Sequence, residues 1–182
     1  MSYNEADIIA QLRDPKKQNE AFGKVVCLYS ERLYWQIRKM VLSHDDANDI
    51  LQNTFLKAWM GLDLFRGDAK LSTWLYKISI NECITFLNKQ RAQSKISIDE
   101  VDSFLLNKLE SSEYMDGDET QMKLQRAVLN LPDRQRLVFN MKYFEDMKYE
   151  EMSEVLGTSV GALKASYHHA VKKIEDFFSK EN

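Results

Sequence analysis

Glycine and proline are scarce in this chain, six Gly and two Pro among 182 residues. So little punctuation argues against many short strands and for long helices. The two cysteines, Cys27 and Cys83, lie far apart and form no CxxC pair, which argues against a structural zinc site or a disulfide framework. Both read as reduced core thiols of a cytosolic protein. The opening stretch MSYNEADIIAQLRD lacks the basic segment and apolar run of a signal peptide. No uncharged apolar stretch approaches membrane-span length, so a cytoplasmic chain without direct membrane insertion is expected. Neither a Ser/His/Asp or Cys/His arrangement nor a phosphate-cradling glycine loop stands out. No catalytic residue, metal or cofactor is therefore expected.

What is present is apolar content of 44%, enough for a packed core, and an uneven charge. The net charge of −3 hides strong segregation. Residues 64–96 carry six basic and two acidic groups, whereas residues 97–120 carry one basic and eight acidic. Salt screens charges beyond about 10 Å, so a local basic patch can hold phosphate whatever the total.

The periodicity is helical throughout. Residues 17–42 place Phe22, Val25, Val26, Tyr29, Leu33, Ile37 and Met40 at three- and four-residue steps. SHDD then offers capping residues for a helix over 45–61, with Leu51, Phe55, Ala58, Trp59 and Leu62 on or near one side. After FRGDAKLSTWLY a helix is predicted from Leu71 to about Gln90, with Ser72 or Thr73 as N-cap and Trp74 as a core aromatic. Residues 97–120 read as an acidic linker, in which Val101, Phe104, Leu105 and Leu109 suit a short docking helix. From Gln121 helices resume, interrupted at Pro132. The expectation is an all-α chain of two small helical domains, residues 1–95 and 121–182, joined by the acidic linker 96–120. The second domain should hold four helices.

The C-terminal stretch YEEMSEVLGTSVGALKASYHHAVKKI carries a helix-turn-helix pattern. Met152, Val155 and Leu156 face a core, Gly157 turns the chain, and Thr158 or Ser159 caps a second helix. That helix is expected to bury Val160, Leu163, Tyr167, Ala170, Ile174 and Phe177. No acid occurs between Thr158 and Lys173. Lys164, Lys172, Lys173, His168 and His169 leave the apolar stripe, as a DNA-reading helix requires. A bare helical hairpin with a solvated basic face is the plainer alternative.

Two further faces stand out. Asp45, Asp49, Gln52 and Leu56 recur at steps of four, three and four, opposite the Phe55/Trp59 side. They suit a protein-docking surface, or simply a solvated one. DDAND also matches the DDxxD pattern of magnesium-dependent prenyl-transferring enzymes, but no second aspartate-rich helix accompanies it. Lys77, Asn81, Thr85 and Asn88 line up on the next helix, followed by Lys89, Arg91 and Lys95. Amides and cations of this kind suit an unpaired nucleic-acid strand.

DDANDILQNTFLKAW, FRGDAKLSTWLYKISINECITFL and the segment from LPDRQRLVF to HHAVKKI together resemble bacterial RNA polymerase sigma factors of the extracytoplasmic-function (ECF) class, over about residues 20–92 and 122–178. The resemblance implies a transcription-initiation factor rather than an enzyme. Its partners would be core RNA polymerase, through the largest subunit's clamp helices and the flap, promoter DNA, and an anti-sigma factor. Asp45, Asp49, Gln52 and Leu56 would dock on the clamp helices. Phe65, Arg66, Lys70, Ser72, Lys77, Asn81, Thr85, Asn88, Lys89 and Arg91 would recognise and open the −10 element, receiving a flipped base. Arg134, Ser159, Ala162, Lys164, Ala165, Ser166, His168, His169 and Lys172 would face the −35 element. The chain departs from the family at Asn53, where Glu is common. It also departs along the recognition helix, where Ala162, Ala165, Ser166, His169 and Val171 replace frequent Thr, Ser and Arg. Guanidinium contacts are lost there, so weak binding by this domain alone is expected. A two-domain DNA-binding regulator that does not bind polymerase is the alternative.

Overall fold

The computed structural model describes residues 4–41, 43–93 and 119–180, and every regular element among them is helical. The chain divides into two units, Met1–Leu87 and Asn88–Asn182.

In the first unit, α1 (Glu5–Leu12) opens on Asn4, whose side-chain oxygen accepts from the Ala6 N–H at 3.1 Å. Helix α2 (Gln18–Val41) packs on α1 and on α3 (His44–Met60). Phe22, Val25, Tyr29, Leu33, Ile37 and Met40 are all buried, as their spacing predicts; Val26 is half-buried. Full burial of each such side chain is worth about 1.5–3 kcal/mol. Ser43 caps α3, its hydroxyl accepting from the Asp46 N–H at 3.3 Å. A 3-10 turn (Leu62–Leu64) and a loop then lead into α4 (Leu71–Gln93), which belongs to this unit as far as Leu87. Helix α4 sends Leu71, Leu75, Tyr76, Ile80, Cys83 and Leu87 into the core. It is tied to α3 by the Lys57–Glu82 ion pair and to α2 by Arg32, which lies 5.2 Å from the Tyr76 ring centroid.

Three expectations need correction here. Cys27 is exposed, and only Cys83 is a core thiol. The buried side of α3 is Ala47, Ile50, Thr54, Phe55 and Ala58, while Trp59 is 37% exposed. Three residues beyond Leu56, Trp59 falls beside the polar stripe rather than opposite it. Neither Ser72 nor Thr73 caps α4, because both lie inside it. The Leu71 N–H is capped instead by the Glu5 carboxylate at 2.6 Å, from the other end of the domain's sequence.

In the second unit, α5 (Glu119–Leu129) begins two residues before the expected Gln121, with Glu119 favourably placed at the positive helix end. Pro132 separates it from α6 (Asp133–Phe139), which runs on into a π turn over Asn140–Phe144. The buried Arg136 is satisfied by the Leu129 carbonyl at 3.2 Å and the Asp133 carboxylate at 2.7 Å. Helices α7 (Tyr149–Leu156) and α8 (Val160–Lys180) follow, so four α-helices are described. Helix α8 packs on the other three. Ala170 and Ile174 of α8 meet Ala127, Val128, Leu131 and Phe139, with Tyr167 and Phe177 half-buried at the rim. Residues 97–118 of the acidic stretch lie outside the described residues, including Val101, Phe104, Leu105 and Leu109.

Candidate functional site

The polar stripe of α3 is built by opposition. Ala47, Ile50, Thr54 and Ala58 turn into the bundle, and Thr54 is accommodated because its hydroxyl donates to the Ile50 carbonyl at 2.8 Å. Asp45, Asp49, Gln52 and Leu56 consequently face outward, all exposed. The stripe continues past them: Leu56, Met60 and Leu64 are 59%, 81% and 82% exposed. Sequence reading missed both Met60, to which the four-residue step from Leu56 points, and Leu64, which lies beyond the end of α3 in the 3-10 turn. Trp59 flanks this apolar end, its ring 5.1 Å from that of Phe22. At the acidic end, the His44 ring binds the Tyr34 hydroxyl at 2.7 Å and the Asn48 amide at 3.0 Å, fastening the start of α3 to α2.

The loop after α3 turns on Gly67, whose φ of 78° is left-handed. Phe65 is half-buried against Trp74, ring centres 4.8 Å apart, and Trp74 is itself half-buried. Arg66 and Lys70 are exposed, while Ser72 is half-buried. Arg13, just past α1, donates to the Arg66 carbonyl at 2.6 Å. Down α4, Lys77, Asn81, Thr85, Asn88 and Lys89 are exposed along a polar face. The Thr85 hydroxyl donates back to the Asn81 backbone carbonyl at 2.8 Å, and the Asn81 side chain is exposed. The Arg91 side chain and all of Lys95 lie outside the described residues. On the inner side, burial pushes the Cys83 thiol up to about 12, with the charge of Glu82 adding to the effect.

The helix-turn-helix forms as its sequence suggests. Gly157 closes α7 in the left-handed region, φ 61° and ψ 32°, its N–H bonded to the Ser153 carbonyl at 2.9 Å. Ser159, not Thr158, caps α8 by accepting from the Ala162 N–H at 3.3 Å. The Thr158 hydroxyl instead accepts from Arg134 at 3.0 Å, bracing the turn against α6. Ser159, Ala162, Lys164, Ala165, His168, His169 and Lys172 are exposed on α8, and Ser166 is half-buried. The Lys164 ammonium lies 5.7 Å from the Tyr149 ring centroid, and that of Lys142 lies 5.5 Å from it. Tyr149 belongs to no expected site. Desolvation holds the neighbouring Tyr167 phenol above its ordinary value, with Tyr149 adding to the rise, so it stays neutral.

Among the described residues, no group of three or more His, Cys, Asp or Glu is placed to hold a metal ion. No described helix is long and apolar enough to cross a membrane.

Comparisons with known proteins converge on the same segments. The Sigma-70 region 2 family matches residues 26–93, and the Sigma-70, region 4 family matches residues 121–174. The chain is 30% identical over 169 residues to the RNA polymerase sigma factor SigV of Bacillus subtilis, covering 92% of this chain and 98% of that one. It is 27% identical over 161 residues to the ECF RNA polymerase sigma factor SigW of the same organism, covering 84% and 86%. Its fold is shared with the sigma factor RpoE of Bartonella quintana, solved with the anti-sigma factor NepR. The TM-score is 0.69 at 21% identity, over 88% of this chain and 98% of that one. Region 2 and region 4 in order, with relatives matched over most of their own length, place this chain in the ECF class of the sigma-70 family, as a non-catalytic transcription-initiation factor.

Proposed function

We propose that the chain docks on the clamp helices of core RNA polymerase through α3, brings it to specific promoters and helps to open the −10 element. Residues 1–95 would carry docking and −10 recognition, and residues 121–182 would carry −35 recognition and the flap contact. The acidic stretch 96–120, with a basic-to-acidic balance of −7 over residues 97–120, would occupy a basic polymerase channel until RNA displaces it. The observation that carries the reading is the α3 stripe. Its three polar side chains and two apolar ones, Asp45 to Met60, are all presented outward, as is Leu64 of the 3-10 turn that follows. A helix that merely capped the bundle would not need an apolar stripe facing water.

The loop after α3 would border a pocket for a base flipped from the non-template strand, while Arg66, Lys70, Lys77 and Lys89 follow phosphates and Asn81 offers hydrogen bonds to a base edge. In the second domain, Lys164 and its neighbours would enter the major groove with Arg134 beside the backbone. Because the structurally similar RpoE is held by an anti-sigma factor, an anti-sigma partner is proposed for this chain too. Its place of action would be the cytoplasm, where polymerase is.

Run-off transcription with purified core polymerase and genomic promoter fragments tests the reading. Addition of the chain should create start sites that core alone does not use. Equal initiation at the same sites by core alone would overturn it.

A further inference from the structure

The loop that follows α3 is held at both ends by one short helix. Glu5 caps the Leu71 N–H at 2.6 Å, where the loop enters α4, and Arg13 donates to the Arg66 carbonyl at 2.6 Å, where the loop begins. Between them, a Cβ built on Gly67 would come to 3.8 Å from Ile9 Cγ2 and 3.1 Å from the Arg13 guanidinium. Glu5, Ile9 and Arg13 follow one another at four-residue steps, so they form a single stripe along α1. The adjoining face of α1 is fixed in the core by Ile8 and Leu12, both buried.

We infer that α1 is the positioning element of the −10 loop: its Glu5/Ile9/Arg13 stripe sets the separation of the loop's two ends and so the shape of the base pocket that the loop borders. The inference rests on the proposed assignment of this loop to the −10 strand. The physical logic is that of a ruler. A helix rises about 1.5 Å per residue, so two contacts eight residues apart define a fixed span of roughly 12 Å. The loop must bridge that span while Gly67 turns through the left-handed region. A preformed loop spends no binding free energy on ordering when the flipped base arrives. Neither Glu5 nor Arg13 needs to touch DNA for this.

The test uses holoenzyme assembled from core polymerase and the full chain, and a pool of random single-stranded DNA oligonucleotides as probe. Wild-type holoenzyme should enrich a short sequence, and loss of either clasp should lower the affinity for it. The expected drop for Arg13→Ala and Glu5→Ala is about tenfold, the change that one capping bond makes to a two-state population. Core affinity should stay within about twofold, since α3 is untouched. Glu5→Gln should bind like wild type, because its amide oxygen still accepts from Leu71. Arg13→Ala leaves the α4 cap and the core intact, and so tests the clasp in a chain expected to fold. Wild-type affinity in Arg13→Ala and Glu5→Ala, with the wild type selecting normally, would overturn the inference and leave the −10 assignment standing. No selection by the wild type itself would overturn both.

Discussion

Lys164 on α8 stands over the Tyr149 ring on α7, ammonium to ring centre 5.7 Å, so the two helices of the helix-turn-helix share a charge–aromatic contact beside their turn. Such a contact at an exposed site is worth about 0.5–1 kcal/mol and restrains a side chain that would otherwise sample many rotamers. Lys164→Ala should cost about 1–3 kcal/mol at a cognate −35 site if the lysine reads a base. Tyr149→Leu should cost about 0.5–1 kcal/mol by releasing it. Both are measured by holoenzyme titration on cognate and scrambled fragments. A loss shared equally by all sequences would reassign Lys164 to phosphate contact.

The α3 stripe predicts a separation of functions. Asp49→Ala combined with Gln52→Ala should weaken core binding in competition with another sigma factor. Met60→Ser should do the same through lost apolar contact. Since all three side chains are exposed, thermal stability should change by no more than about 0.5 kcal/mol. Unchanged core affinity in both variants would remove α3 from the interface.

Asn81 predicts a kinetic separation. Its amide lies on the exposed face of α4, away from the buried Ile80 and Cys83. Asn81→Ala should leave closed-complex formation intact and slow strand opening by about tenfold, the loss of roughly 1.4 kcal/mol from one base-directed hydrogen bond. Footprinting reports the first step and permanganate reactivity the second. Equal loss in both steps would indicate damage to the fold.

The two thiols should differ in reactivity. The thiolate is the reacting species. Burial lifts Cys83 to about 12, so at pH 8 it is both inaccessible and protonated. Cys27 is exposed. The native chain should therefore consume one equivalent of a thiol reagent quickly, and two after denaturation. Two fast equivalents in the native state would contradict the packing of α4.

Much of this architecture is legible in the sequence. Amphipathic spacing marks α2 and α3, Gly157 with Thr158 or Ser159 marks the helix-turn-helix turn, and the polar stripes of α3 and α4 are readable because helical geometry alone puts such residues on one face. What escaped reading was long-range or local in a way that periodicity does not register. The Glu5 cap on Leu71 joins residues 66 positions apart, and no local rule prefers it over the adjacent Ser72 and Thr73. Trp59 was misplaced because large aromatics are usually core, whereas here the small Ala58 takes the inward position. Asn140 is buried in the π turn with neither amide atom hydrogen-bonded, and no pattern would mark an asparagine as core.

On the proposed assignment of its loop to the −10 strand, Gly67 has a consequence for how such a factor changes its promoter. Any side chain there meets both an unfavourable backbone region and Arg13. Lengthening or shortening the stretch between Arg66 and Leu71 would break one of the two α1 contacts. Variation is thereby channelled to Arg66 and to residues 68–70, which behave as an exchangeable cassette between fixed mounts. A retargeting library confined to those four positions should keep the bundle folded while altering which strand it accepts.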